Sequence, residues 1–209
     1  MKQGLLIILS GPSGVGKGSL RKKLNHEPDF KVDYSVSMTT RPKRFREMNG
    51  KDYIYVGLPE FEQKIKENYF IEYVNYCGNY YGTPKSFVDT HLLAGRNVLL
   101  EIEADGAEQV MKQYRGIYTL AVFVIPPTME ELERRIRLRN TETEEQIQAR
   151  LEKAKKEMAL KDNYDVVLTN YTLNKTALRF KQVVNNRLTY IKNVEAGNPV
   201  SKEYVIKRP

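Results

Sequence analysis

A short apolar run, Leu5 to Leu9, breaks at Ser10 into Gly11-Pro12-Ser13-Gly14-Val15-Gly16-Lys17-Gly18-Ser19, and few folds accommodate that succession. It reads as a buried strand, a glycine-rich turn and a helix that buries Leu20 and Leu24. The glycines let the backbone curl so that successive N–H groups point inward, and the following helix adds its positive end. Lys17 supplies a mobile cation for the outer oxygens of a polyphosphate. A nucleoside triphosphate is therefore the first ligand to consider, bound by Gly11 to Ser19. Gly18 stands where a hydroxyl usually follows the lysine, and the first hydroxyl comes at Ser19, so no direct metal ligand is assigned to the loop.

The chain has 209 residues, 41% of them hydrophobic, enough for one α/β domain with an inserted lobe. No apolar stretch is long enough to span a bilayer, and the start lacks a cleavable signal pattern, so a soluble cytoplasmic protein is expected. A single cysteine, Cys77, excludes an internal disulfide and a cysteine-based zinc cluster, and is read as a partly buried thiol. Two histidines, His26 and His91, offer little metal-binding capacity. The net charge of +8 suits a protein with polyanionic substrates. Lys175 to Pro209 holds eight basic residues and two acidic ones, scattered along a helical pattern and a tail. They read as a solvated face in preference to an RNA-binding surface.

Further β-like runs follow at Asn97–Glu103, Thr119–Ile125 and Asp165–Thr169. Between and after them, Ala104–Tyr114, Thr128–Arg139, Glu144–Lys161 and Leu173–Lys192 repeat apolar residues at helical spacing. Alternating strands and helices predict a parallel sheet covered on both faces. The region from about Ser35 to Val88 differs. Short alternating segments surround one helix, Pro59–Glu67, and tyrosines concentrate there, so it reads as a small mixed lobe with room for a second ligand.

The lobe carries Ser37-Met-Thr-Thr-Arg41-Pro-Lys-Arg44, Asn49-Gly-Lys-Asp-Tyr53, Phe70-Ile-Glu72 and Gly78-Asn-Tyr-Tyr81-Gly-Thr83. Paired arginines in an extended segment can grip one phosphate from two sides. A carboxylate such as Glu72 accepts two parallel hydrogen bonds, which matches the adjacent N1–H and N2–H donors of guanine and no edge of adenine. In this order, after a phosphate loop, these segments resemble guanylate kinase from about Leu6 to Asn170.

The resemblance implies a parallel-sheet P-loop kinase core (1–36 and 89–209), an inserted mixed α/β monophosphate-binding lobe (37–88) and a helical lid (about 134–152). It implies phosphoryl transfer from ATP to GMP or dGMP, with Mg2+ arriving on ATP and no nucleic acid or membrane partner. By the same resemblance Arg41, Arg44, Tyr53 and Tyr81 hold the acceptor phosphate, and Ser37, Glu72 and Thr83 contact guanine. Glu101 and Glu103 fall on one face at the carboxyl end of a core strand, where they can orient metal-bound water or brace Arg41 and Arg44. Arg135, Arg139 and Arg150 match lid arginines that close over the triphosphate, and Asn170 matches an asparagine near adenine. Departures from the family pattern stand at Arg46, Glu103, Asp105, Asn140 and Tyr171. Three other readings stay open: a related small kinase with a different phosphorylated acceptor, a non-catalytic scaffold of the same fold and, third, direct nucleic-acid binding.

Overall fold

The computed structural model describes residues 3–76, 78–114, 116–138 and 143–199. Cys77, Arg139 and Asn140 lie outside them. Five parallel strands form the central sheet: β1 (Leu6–Ser10), β2 (Asp33–Tyr34), β7 (Val98–Glu101), β8 (Thr119–Ile125) and β9 (Val166–Thr169). Their order is β2-β7-β1-β8-β9, so β1 is central and the chain reverses direction across the sheet beside it. Ligands of open α/β sheets bind at the carboxyl ends of strands at such a switch point, and the glycine-rich loop leaves β1 there.

The alternation along the first strand explains why both faces are covered. Leu5, Ile7 and Leu9 enter one apolar cluster with Leu20, Leu24, Phe180 and Val184. Leu6 and Ile8 enter the other with Val88, Leu92, Leu100, Ala107 and Phe123. Successive side chains on a strand point to opposite faces, and here each face has its own helical cover. The first face packs α1 (Lys17–Asn25), α5 (Met129–Arg137), α6 (Glu144–Met158) and α7 (Leu173–Glu195). The second packs α3 (Lys85–Leu93) and α4 (Ala104–Gln113). The expected core strands and helices are all present, and β2 is an addition, a two-residue edge strand too short to carry a periodic signal.

The inserted lobe forms a second sheet. It contains β3 (Met38–Thr39), β4 (Ile54–Tyr55), β5 (Phe70–Tyr76) and β6 (Asn79–Pro84), in the order β4-β3-β6-β5, with α2 (Leu58–Lys66) packed on it. Phe61 of α2 is fully buried and stacks on Phe70 at 4.5 Å and on Tyr80 at 5.4 Å between ring centroids. Gly82 makes this stacking possible, because a Cβ there would stand 2.8 Å from the Phe70 ring and 2.9 Å from the Phe61 ring. The outer edge of β5 is covered by α4. Gln109 exchanges two hydrogen bonds with the Tyr73 backbone and Gln113 donates to Ile71 O at 2.8 Å. Those contacts satisfy an otherwise open strand edge and fix the lobe against the core.

Candidate active site

The loop after β1 is held in shape by glycine. Gly11 has φ 144 and sits so close to β8 that a Cβ would fall 2.2 Å from Val124 O. Gly16, at φ 104 and ψ 21, opens α1 without a side-chain cap. By contrast Thr128 caps α5, and Thr143 with Gln146 forms a capping box on α6. The first N–H groups of α1 are thus not claimed by a side chain at the cap, and they face the cavity with the positive end of the helix behind them. Lys17 is buried, donates to Gly11 O and lies 3.5 Å from Glu103.

The loop is braced from behind by Asn170 and Arg135. Asn170 donates to Val15 O at 2.8 Å while its Oδ1 accepts from Thr176 at 2.9 Å. Arg135 donates to Val15 O at 3.2 Å and to Asn170 O at 2.9 Å, with its Nε on Glu131. The guanidinium of Arg135, which matches a lid arginine of the family, here donates to the backbone of the loop and of Asn170. Arg150, from α6, does line the cavity.

That cavity, of about 530 Å3, runs from the loop into the lobe. Ser13, Lys17 and Ser19 line one end and Ser37, Tyr53, Glu72 and Tyr81 the other. Glu72 is 3% exposed. Thr83 donates to its Oε1 at 2.6 Å and lies 3.1 Å from the Ser37 hydroxyl. A threonine has one hydroxyl proton, so with that proton on Glu72 the Ser37 hydroxyl must donate to Thr83. The relay leaves Glu72 with acceptor positions facing the cavity. Its other oxygen sits against the first turn of α4, where a Cβ on Gly106 would come within 2.2 Å. Burial pushes the Glu72 carboxyl up to about 7, against the opposing pull of the Thr83 hydrogen bond.

The arginines of the lobe are organised by a residue that sequence reasoning missed. Glu47 accepts from Arg41 at 2.8 and 3.0 Å, from the Arg44 backbone N–H at 2.9 Å and from the Tyr55 hydroxyl at 2.7 Å. Although burial alone would raise it, these donors hold the Glu47 carboxyl down at about 2. Its position six residues after Arg41 and three after Arg44, in one loop, was the available signal. Arg41 also lies over the rings of Tyr53 and Tyr55, at 5.4 and 5.9 Å. The Arg44 guanidinium is more exposed, 3.9 Å from Glu47.

Glu101, expected to orient metal-bound water or to brace Arg41 and Arg44, accepts from Arg21 of α1 at 2.9 Å. Arg21 also reaches Asp52 of the lobe at 3.5 Å, and Lys22 reaches the same carboxylate at 3.6 Å. Burial raises the Glu101 carboxyl, opposed by Arg21 and Lys17. A Cβ on Gly18 would stand 3.3 Å from Glu101 Oε1, so the missing side chain at Gly18 makes room for that carboxylate. Glu103 is not the last residue of a strand as expected but the N-cap of α4, and its Oε2 is buried without a hydrogen-bond partner.

With a phosphate loop, a paired-arginine lobe and a buried carboxylate joined in one cavity, comparison with known proteins is decisive. The guanylate kinase family model matches residues 3–187. The chain belongs to the guanylate kinase family. A guanylate kinase of Streptococcus agalactiae is 48% identical over 184 residues, covering 88% of this chain and 87% of that protein. One from Mesoplasma florum is 47% identical over 182 residues, 87% of this chain and 61% of its own length. The chain thus spans about three fifths of the length of the Mesoplasma relative and of a similar Mycoplasma capricolum one. The crystal structure of guanylate kinase from Anaplasma phagocytophilum superposes with a TM-score of 0.74 at 31% identity, covering 88% of this chain and 86% of that one. Among the described residues no helix is long and apolar enough to cross a membrane, and no group of three or more His, Cys, Asp or Glu side chains could hold a metal.

Proposed function

We propose that this chain transfers the γ-phosphoryl group of ATP to GMP, and to dGMP, giving ADP and GDP or dGDP. The observation that carries the reading is the buried Glu72 carboxylate, supported by Thr83 and Ser37, in the same cavity as the glycine-rich loop. Guanine N1–H and N2–H donate to the ionised Glu72. A site that would otherwise hold an unpaired buried carboxylate rejects bases lacking those donors by roughly 10⁴-fold.

Arg41, Arg44, Tyr53 and Tyr81 hold the acceptor phosphate, with Glu47 fixing the direction of Arg41. The N–H groups of Gly11 to Ser19 cradle the donor phosphates, and Lys17 leaves Gly11 O and Glu103 to reach them. An acceptor oxygen attacks the γ-phosphorus, and the bond to the bridging oxygen of ADP breaks. Such transfer is mainly positioning and charge stabilisation, to which Arg150 and Arg139 contribute as lid arginines. Arg135 and Asn170 act one step back, by keeping the loop in its binding shape.

A divalent metal accompanies the nucleotide in this class of kinase, and Mg2+ is the one proposed; it would neutralise charge on the phosphate oxygens. Glu103 Oε2, buried and unpartnered, and Glu101, beside Gly18, fit an outer-sphere hold through water; no side chain is assigned as a direct ligand. Lobe and lid close around the substrates, which excludes water that would otherwise hydrolyse ATP.

ADP release from ATP and Mg2+ is measured with GMP, dGMP, AMP, CMP and UMP supplied separately. Turnover with GMP and dGMP alone, lost in Lys17→Ala, is expected; turnover with none of them would leave a scaffold or another phosphorylated acceptor.

A further inference from the structure

A line of side chains connects the acceptor-phosphate end of the cavity to α6. The Arg41 guanidinium lies 5.4 Å from the Tyr53 ring. Tyr53 meets Tyr81 edge-on at 5.8 Å, and Tyr81 meets Tyr76 edge-on at 6.3 Å. At the far end the Lys153 ammonium sits 3.9 Å from the Tyr76 ring centroid. Lys153 belongs to α6, three residues after Arg150, which lines the cavity. The same ammonium is 3.7 Å from Asp105 of α4 and 3.7 Å from Glu157 of α6. One cation therefore touches the lobe through Tyr76, the core through Asp105 and the lid-side helix through Glu157.

The contacts in this line depend on orientation. Edge-to-face rings and a cation over a ring face lose their attraction when either partner tilts. An acceptor phosphate gripped by Arg41, Tyr53 and Tyr81 fixes the tilt of Tyr81, hence of Tyr76, hence the seat of Lys153. We propose that Lys153 is a positioning residue that couples acceptor binding to the placement of Arg150, so that the monophosphate and triphosphate sites bind with positive cooperativity transmitted through α6. The inference rests on the GMP reading of the lobe. The test reads the coupling itself.

GMP affinity is measured by calorimetry with and without a saturating non-hydrolysable ATP analogue and Mg2+, for the wild type, Lys153→Met, Lys153→Arg and Tyr76→Leu. Wild type is expected to bind GMP at least about fivefold more tightly when the analogue is present, the lower end of ordinary allosteric coupling. In Lys153→Met that ratio falls to within about twofold of one, while the affinity for each nucleotide alone changes less than about threefold. Lys153→Arg, which keeps a cation over the ring, restores the ratio, and Tyr76→Leu loses it. Lys153→Met keeps the aliphatic stem, and Glu157, whose carboxyl is pushed up to about 7 by burial and the nearby Glu103, can take a proton in place of its lost cation. The fold is therefore retained.

A wild-type ratio of one, a ratio unaltered by Lys153→Met, or equal weakening of each nucleotide alone would overturn the inference while leaving the GMP reading intact. Wild type that binds the analogue but not GMP would overturn both.

Discussion

Replacing Glu72 by glutamine should stabilise the free protein while ruining its use of GMP, and the two effects have one cause. The carboxyl rises from its ordinary value of 4.5 to about 7 on folding, chiefly through burial. Between those values the folded state binds more protons than the unfolded chain, so stability falls as pH rises through the window. At about 1.4 kcal/mol per pKa unit, the ionised side chain costs about 3 kcal/mol once the pH exceeds 7. Glutamine keeps the shape and carries no charge. It loses the favourable effect of the α4 N-terminus on an anion, so a net gain of about 1–3 kcal/mol is expected near pH 8. For a chain of this size that corresponds to a rise in Tm of roughly 2–10 °C. Near pH 5 the wild-type carboxyl is mostly protonated in the folded protein, and the difference between the two proteins should shrink to about 1 kcal/mol or less. Thermal and urea denaturation of both proteins at the two pH values, without nucleotide, measure this. In the same variant kcat/KM for GMP should drop about 10²- to 10⁴-fold, with ATP binding little changed. A variant less stable than wild type near pH 8, or a gain equal at both pH values, would refute the assignment of Glu72 as a buried anion held for its ligand.

The same carboxylate predicts a pH profile: kcat/KM for GMP should fall as the pH drops below about 7, approaching tenfold per unit, because the protonated acid cannot accept both guanine donors. A profile flat from about pH 6 to pH 8 would contradict it. Gly106→Ala places a Cβ where only 2.2 Å separates it from Glu72 Oε2. It should lower kcat/KM for GMP by at least about tenfold while ATP affinity, measured by calorimetry, stays within about threefold. Asn170→Ala should do the reverse, because it removes the 2.8 Å brace on Val15 O: ATP affinity drops about tenfold and GMP affinity holds. Equal losses for both nucleotides would mean that Asn170 supports the fold at large. Asp52→Asn removes the lobe carboxylate that meets Arg21 and Lys22. A weakening of GMP binding by no more than about fivefold is expected, and it should diminish at high salt because these groups are partly exposed.

The parallel core was legible because β1, β7 and β8 are buried on both faces and therefore read as continuous apolar runs. Thr119–Ile125 appears with the predicted bounds, and Asn97–Glu103 is trimmed to Val98–Glu101. The two-residue strands at Asp33–Tyr34, Met38–Thr39 and Ile54–Tyr55 carry no periodicity and exist only because longer neighbours offer them an edge. At the site, the residues singled out from the sequence for their own chemistry, Gly14, Gly16, Lys17, Arg41, Arg44 and Glu72, line one cavity. The partners that orient them were not legible. Glu47 lies in the same loop as Arg41, but Arg21 reaches Glu101 across 80 positions of sequence and Gly106 reaches Glu72 across 34, and nothing local announces such contacts.

Arg135 matches a lid arginine of the family and also has a second place to act. The buried face of α5 is set by Leu132 and Ile136, and position 135 beside them faces the back of the loop. There Val15 O and Asn170 O are two carbonyls in need of donors, and the planar guanidinium serves both while Glu131 holds its Nε. A lysine could not span the three acceptors with that geometry. In the proposed reaction, charge at the transferring phosphoryl group then falls to Lys17 and to Arg150, which stands on the helix whose Lys153 meets Tyr76 of the acceptor lobe. In that reaction Arg135 would serve the donor site by shape and Arg150 would serve the transfer by charge. Arg135→Lys should therefore raise KM for ATP more than it lowers kcat, and Arg150→Lys should lower kcat with KM for ATP nearly unchanged, a split that steady-state kinetics at saturating GMP resolves. Identical kinetic signatures for the two variants would return Arg135 to the lid.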